Sequence, residues 1–254
     1  MRIESAGLTH VGMKRTHNED SLFLLEEENL YVVADGMGGH ASGEVASKMA
    51  VETVANFFKA TATDEDITWP YKMEKGLSID ENRLVVSVKL ANAKIFEVAQ
   101  RTPKYRGMGT TVVGAFFRDS VVYCCHVGDS RAYRFRAGKL EQLTEDHSLL
   151  NDYIKMKKLT EEEIENFPHK NVIVRALGMK DTVLVDLIRE RPQADDLYLL
   201  CSDGLSGMVT DDELAKILAS EPDLNRAVQA MVQAANAAGG TDNITVVLAK
   251  YFDG

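Results

Sequence analysis

Val32-Val33-Ala34-Asp35-Gly36-Met37-Gly38-Gly39-His40 changes character at Asp35. Before it, small apolar side chains read as the end of a buried strand; after it, the glycines demand a sharp turn. Asp35 therefore stands at a strand terminus, facing out of a rigid core, where bare glycines let a ligand approach the main chain. Two readings are open from this stretch alone. It is an ordinary strand-to-helix turn with an incidental carboxylate, or it is the floor of a metal or phosphate site.

Outward from Asp35, the apolar runs at residues 22–25 and 30–34 are joined by the turn Glu26-Glu27-Glu28-Asn29, with Glu19-Asp20 just ahead of the first run. An antiparallel hairpin brings the far ends of two such strands together. Glu19, Asp20 and Asp35 are thus expected to cluster, with Arg15 nearby, and residues 3–12 supply an earlier strand. On the other side, Val45, Ala46, Met49, Ala50, Val54 and Phe57 recur at helical spacing and predict a helix over residues 42–58. Leu84, Val88, Ala91, Ile95 and Val98 predict a second over residues 80–100, with a loop at 59–79 between them. The two helices should pack as an antiparallel pair across one face of a sheet.

Strand runs follow at residues 111–117, 120–127, 131–136 and 140–143, separated by Arg118-Asp119, Gly128-Asp129-Ser130 and Ala137-Gly138-Lys139. Short turns between strands indicate an antiparallel sheet. Residues 144–195 are less regular. Asp146-His147-Ser148 opens a short helix, Thr160 and Glu163 have the capping-box form, Pro168 is a stop, and residues 172–174 and 183–185 are strand candidates. This acidic segment reads as a flap. Residues 197–201 then run into Ser202-Asp203-Gly204, repeating the apolar-strand, Asp, Gly form of the opening stretch. Thr210 to Glu213 is a further capping box, Asp223 caps a helix over 224–238, and residues 244–249 close the chain as a strand. With no fixed-period repeat and no low-complexity linker, one domain is expected over residues 1–254.

The chain has 254 residues, 45% hydrophobic and 27% charged, the composition of an ordinary soluble globular protein. A net charge of −10 argues against nucleic-acid binding, since no basic excess is available to neutralise a phosphate backbone. Cys124, Cys125 and Cys201 lie in apolar segments, and an odd count there favours reduced thiols and a cytoplasmic setting. No apolar run approaches the ~20 residues of a membrane span, so no membrane association is expected.

The acidic pieces collect into one pattern: Glu19-Asp20, Asp35-Gly36, Gly128-Asp129, Ser202-Asp203-Gly204 and Asp242-Asn243, each at a strand boundary. They are either solvated turn acids or a converging cluster. Converging carboxylates repel, and hard divalent cations relieve the repulsion; an oxygen-only donor set points to Mg²⁺ or Mn²⁺ over Zn²⁺. Arg15 would supply a bidentate fork for a substrate phosphate.

In order along the chain, Arg15-x-x-Asn18-Glu19-Asp20, Asp35-Gly36-Met37-Gly38-Gly39, Gly107-x-Gly109-Thr110-Thr111, Gly128-Asp129-Ser130-Arg131, Ser202-Asp203-Gly204 and Asp242-Asn243 resemble the PPM (PP2C-type) metal-dependent protein phosphatases, in their compact bacterial form. The resemblance runs from about residue 5 to residue 250. It implies an α+β fold, a β-sandwich of two antiparallel sheets flanked by pairs of antiparallel helices. It implies hydrolysis of phosphoserine and phosphothreonine by direct attack of a water or hydroxide bridging two Mn²⁺ or Mg²⁺ ions. Asp35 would bridge the ions, with the Gly36 carbonyl on one of them; Asp203 and Asp242 would bind the first. Glu19 and Asp20 would hold waters of the second, and Asp129, with Asp203, would serve a weaker third. Arg15 would bind the substrate phosphate. The flap corresponds to residues 145–190. The implied partners are proteins phosphorylated by a serine/threonine kinase, and the implied state is a monomer.

Two positions depart from the family pattern. Met37 stands where some members have a histidine proposed as general acid, which leaves His40, a metal-bound water or solvent for that role. Gly207 stands where a further Asp often follows Asp203. His126 on its apolar strand reads as a core histidine, His147 as helix-start chemistry, and His17 as a solvated loop residue. Two rival functions keep the same fold: a catalytically silent phosphoprotein-binding module, and a hydrolase of small phosphate esters.

Overall fold

A computed structural model describes residues 1–38, 42–62, 68–157, 159–165, 167–168 and 172–253. The chain opens with β1 (Arg2–His10), β2 (Asp20–Leu25) and β3 (Leu30–Met37), then α1 (Ser42–Thr61) and α2 (Ile79–Arg101). A strand block follows: β4 (Gly109–Thr110), β5 (Val112–Arg118), β6 (Val121–Val127), β7 (Arg131–Arg136) and β8 (Lys139–Gln142). The remainder comprises α3 (Leu149–Lys157), α4 (Glu161–Glu165), β9 (Asp186–Glu190), β10 (Leu197–Cys201), α5 (Asp203–Ser206), α6 (Asp211–Ser220), α7 (Leu224–Ala237) and β11 (Ile244–Phe252).

The strands form two antiparallel sheets, one ordered β1-β11-β10-β7-β8, the other β2-β3-β5-β6-β9 with β4 paired to β3. β3 shows why they stack. Its side chains alternate: Tyr31 and Val33 meet Phe117, Tyr198, Val247 and Tyr251 between the sheets. Leu30, Val32 and Ala34 face outward onto Ala46, Val54, Leu84 and Val88 of α1 and α2. Both faces of the strand are dry, so its sequence is apolar without a break. β10 and β11 repeat the arrangement. Leu200 and Val247 enter the inter-sheet layer, while Leu199 and Leu248 pack on Leu214, Val228 and Met231 of α6 and α7. The result is a sandwich with a helix pair on each outer face, the α+β architecture that the sequence implied.

Local signals set several element ends. The Thr210 hydroxyl accepts from Glu213 N–H at 3.3 Å while the Glu213 carboxylate accepts from Thr210 N–H at 3.0 Å, and Asp223 accepts from Arg226 N–H at 2.9 Å. Elsewhere the structure corrects the sequence reading. The β5–β6 hairpin turns at Asp119 and Ser120 (φ 50° and 57°), one residue later than Arg118-Asp119, because Arg118 still pairs with Val121. Ile173 makes only an isolated bridge, to Ser148, and residues 183–185 form no strand. The edge strand is β9, which starts at Asp186 and pairs with β6. His40 lies outside the described residues.

Core burial predicts graded losses. Leu248→Ala in β11, at 0% exposure, should destabilise by about 2–5 kcal/mol in denaturant unfolding, whereas Leu184→Ala, at 67% exposure, should stay within about 0.5 kcal/mol. Equal effects would contradict the layered core.

Candidate metal centre

Strand ends from both sheets meet at one end of the sandwich. The β2–β3 register sets Asp20 directly across from Asp35, as the hairpin reading expected. Asp35 is held by its backbone. Its N–H donates to the Thr111 hydroxyl at 3.0 Å, and its carbonyl accepts from Thr111 N–H and the Thr110 hydroxyl, both at 2.8 Å. With the peptide fixed on both sides, the carboxylate is committed to the cleft. Gly36 follows between the chain at Glu19 and the first turn of α1, where any Cβ would sit 2.2 Å from the Gly43 carbonyl oxygen. The glycine is required by that approach.

From the other sheet, Asp203 starts α5 immediately after β10, and Asp242 precedes β11. Between the sheets, Asp129 sits in the turn from β6 to β7. Asp20 is 6% exposed; its Oδ2 accepts from the Ser202 and Thr245 hydroxyls, each at 2.7 Å. Two residues of the opposite sheet thereby hold one oxygen and leave the other, Oδ1, with no hydrogen-bond partner. Asp129, also buried, likewise has a partnerless Oδ1. Asn243 ties down the loop that carries Arg15 and Glu19. Its Nδ2 donates to the Val11 and His17 carbonyls, each at 2.9 Å, and its Oδ1 accepts from Glu19 N–H at 2.7 Å. The Glu19 carboxylate accepts from Gly43 N–H in the first turn of α1. Arg15 reaches the same cleft, its Nη2 2.7 Å from Asp242 Oδ2.

Electrostatics follow from this crowding. Burial and the charges of Asp20, Asp203, Asp129 and Asp242 raise Asp35 well above the usual carboxylate range. Burial and Asp242 raise Asp203, against a hydrogen bond it shares with Asp35. Burial lifts Asp20 to about 6, and burial together with Asp203 and Asp146 lifts Asp129 to about 7. Burial also raises Glu19. An all-oxygen donor set, mutual repulsion and two buried oxygens lacking any partner together fit a hard divalent cation.

Each site residue expected from the sequence, Arg15, Glu19, Asp20, Asp35, Gly36, Asp129, Asp203 and Asp242, thus lies at this end of the sandwich. The residues that hold them carry no signal of their own in the sequence: nothing there assigns a part to Thr111, Ser202 or Thr245, and Asn243 stands only as a neighbour of Asp242. Met37, half-buried beside β4, carries no transferable proton, so no leaving-group proton comes from that position.

Known proteins share the fold. The family profile described as Protein phosphatase 2C matches residues 7–249. The serine/threonine phosphatase stp of Listeria monocytogenes is 39% identical over 249 residues, covering 95% of this chain and 93% of its own. Protein phosphatase PhpP of Streptococcus pneumoniae is 36% identical over 249 residues, covering 97% and 96%. Among solved structures, the Mycobacterium tuberculosis serine/threonine phosphatase PstP/Ppp superposes with a TM-score of 0.86 at 33% identity, covering 100% of both chains. The catalytic domain of PstP in complex with two manganese ions gives a TM-score of 0.82 at 33% identity, covering 99% of both. The chain belongs to the protein phosphatase 2C family.

Proposed function

We propose that this chain is a metal-dependent protein phosphatase acting on phosphoserine and phosphothreonine, with residues 1–254 as one catalytic domain and 145–190 as its flap. The observation that carries the reading is the convergence of Asp20, Asp35, Asp129, Asp203 and Asp242, two of them with a buried oxygen lacking any partner. Asp35 would bridge two ions, Mn²⁺ or Mg²⁺, with the Gly36 carbonyl beside it; Asp203 and Asp242 would complete the first. Glu19 and Asp20 would serve the second through its waters, and Asp129 with Asp203 a weaker third. When bound, such a pair of ions ionises water for in-line attack on a phosphate ester and neutralises the charge that develops. The chain's own part is positional. Thr110 and Thr111 fix Asp35, Ser202 and Thr245 fix Asp20, and the Arg15 guanidinium stands at the rim to fork a phosphate.

Phosphoproteins made by a serine/threonine kinase are the proposed substrates, and a bacterial cytoplasm, a signalling role and a monomeric state the proposed setting. The buried, free thiols of Cys124, Cys125 and Cys201 suit a reducing compartment. Among the described residues no helix is long and apolar enough to cross a membrane.

Mn²⁺-dependent release of phosphate from a phosphopeptide should fall in Asp35→Ala and Asp203→Ala by more than the about 10–100-fold typical of changes outside the ligand shell. Full turnover in excess chelator would overturn the metal reading. Faster turnover of small phosphate esters than of phosphopeptides would replace the protein substrate.

Charge crowding gives a second expectation, for the chelator-treated protein. Asp129 at about 7 and Asp35 well above its usual range hold protons in the folded state that the unfolded chain has lost. The folded state binds more protons, so stability falls as pH rises through those folded values. Thermal melts should therefore drop as pH rises from about 4 to about 7, the interval between the unfolded and folded values of Asp129, and saturating Mn²⁺ should flatten the decline. A rising or flat Tm without metal contradicts the clustering.

A further inference from the structure

His126 at the end of β6 and His147 ahead of α3 stack, ring centroids 4.3 Å apart and planes 24° apart. With Asp186 they form a compact group whose ligand-type atoms all lie within 4.8 Å of one another. The arrangement resembles a metal site, but its hydrogen bonds say otherwise. His147 Nδ1 accepts from Gly128 N–H at 3.0 Å, so the ring proton is on Nε2, which donates to Asp186 Oδ2 at 3.1 Å. Neither nitrogen of His147 keeps a free lone pair. The near-parallel rings also send their in-plane lone pairs along separate lines, which do not converge on one ion.

The bonds do grip one residue. Gly128 gives its N–H to the His147 ring and its carbonyl to His147 N–H, at 2.8 Å. Gly128 has φ +117°, and a Cβ there would lie 2.6 Å from Thr111. On the far side of Asp129, the Ser130 hydroxyl bonds to that of Thr111 at 2.7 Å, and Thr111 in turn holds Asp35. Asp129 Oδ1 has no partner and the carboxylate accepts only from its own N–H, so it takes its direction from a backbone held at both neighbours. Behind His147, Asp186 Oδ1 accepts from Arg175 Nη1 at 2.5 Å, which keeps the carboxylate facing the ring. Burial and the facing His126 push His147 down to about 4, so the ring stays neutral and Nδ1 remains an acceptor.

We propose that His147 is a positioning residue for Asp129. Through Gly128 it sets the aim of that carboxylate, with Asp186 and Arg175 fixing its tautomer, so that the base of the flap tunes the metal site Asp129 serves. The proposal rests on the reading of Asp129 as a metal ligand.

Two substitutions divide the ring's duties. In His147→Asn the amide oxygen falls near Nδ1 and accepts from Gly128 while the Asp186 bond is lost; in His147→Gln the amide nitrogen falls near Nε2, keeping Asp186 and losing Gly128. The readouts are amide hydrogen exchange at Gly128 without metal, and calorimetric titration with Mn²⁺. Asp129→Asn should remove the weakest Mn²⁺ binding step and leave the tighter ones. His147→Gln should weaken that same step about tenfold or more and speed exchange at Gly128, whereas His147→Asn should stay near the unsubstituted protein in both. Asp186→Ala, at a more exposed position, should shift both readouts in the direction of His147→Gln, and it tests the proposal if the His147 variants do not fold. Gln equal to or better than Asn would mean that the ring merely fills space, and would overturn the proposal. If Asp129→Asn leaves Mn²⁺ binding unchanged, the ligand reading of Asp129 fails. If Asp129→Asn removes a step that His147→Gln and Asp186→Ala leave intact, the positioning role fails by itself.

Discussion

Like charges pressed together at one end of a sandwich are the constraint on which this structure depends. Asp20, Asp35, Asp129, Asp203 and Asp242 come from strand ends of both sheets and from the crossing between them. Asp20 and Asp35 are held in place, because Thr110 and Thr111 bind the Asp35 backbone and Ser202 and Thr245 bind the Asp20 carboxylate. The frame itself is rigid: tyrosine, phenylalanine and valine side chains fill the layer between the sheets, and a helix pair closes each outer face. Raised carboxylate pKa values are the sign of what this geometry costs the metal-free protein. A bound cation removes that cost, so the same repulsion that destabilises the fold supplies the affinity for an ion.

Much of the frame is legible in the sequence because its signals are local. Apolar runs, helical spacing and capping boxes give β3, α1, α2, α6 and α7 within a few residues. A carboxylate followed by glycine at the end of an apolar run marks Asp35 and Asp203 as cleft residues. Partners that meet only in the folded state leave no such mark. Ser202 and Thr245 reach Asp20 across 182 and 225 residues of chain. β9 is equally hidden: Asp186-Leu187-Ile188-Arg189-Glu190 has two apolar residues among charges and becomes a strand because β6 offers it an edge. His147 reads as a polar residue before a helix, and its burial arises from His126, Gly128 and Asp186 far away in sequence.

The proposed flap is tied to this frame at its start by charge and hydrogen bonds, and further along Leu177 and Val185 enter the core. Arg131, two residues after Asp129, forks Asp146 with Nε and Nη2 at 2.9 and 2.7 Å, and the next residue, His147, takes both polar groups of Gly128. Both ties run from the start of the flap to the Gly128–Arg131 turn. A bidentate ion pair and an oriented imidazole have narrow geometric tolerance, unlike apolar packing. A displacement at the base of the proposed flap would bear first on the turn that carries Asp129, whereas Asp35 and Asp20 carry further bonds from within the sheets.

That difference in anchorage predicts a graded set of ion sites. Asp20 spends one oxygen on two hydroxyls at 2.7 Å, so its free oxygen is aimed before any ion arrives. Asp35 is fixed through three backbone bonds. Asp129 bonds back only to its own N–H and so depends on the backbone that carries it, and Gly207 places no further donor beyond Asp203. Ordering a carboxylate during binding subtracts from affinity, whereas one already ordered binds at full strength. In the proposed assignment, ions at Asp35 and Asp20 would accordingly be held more tightly than one at Asp129. The more weakly held ion would be the one whose occupancy a small shift of the proposed flap changes, which makes the Gly128–His147 contact a point where the geometry of that segment bears on the chemistry of the cleft.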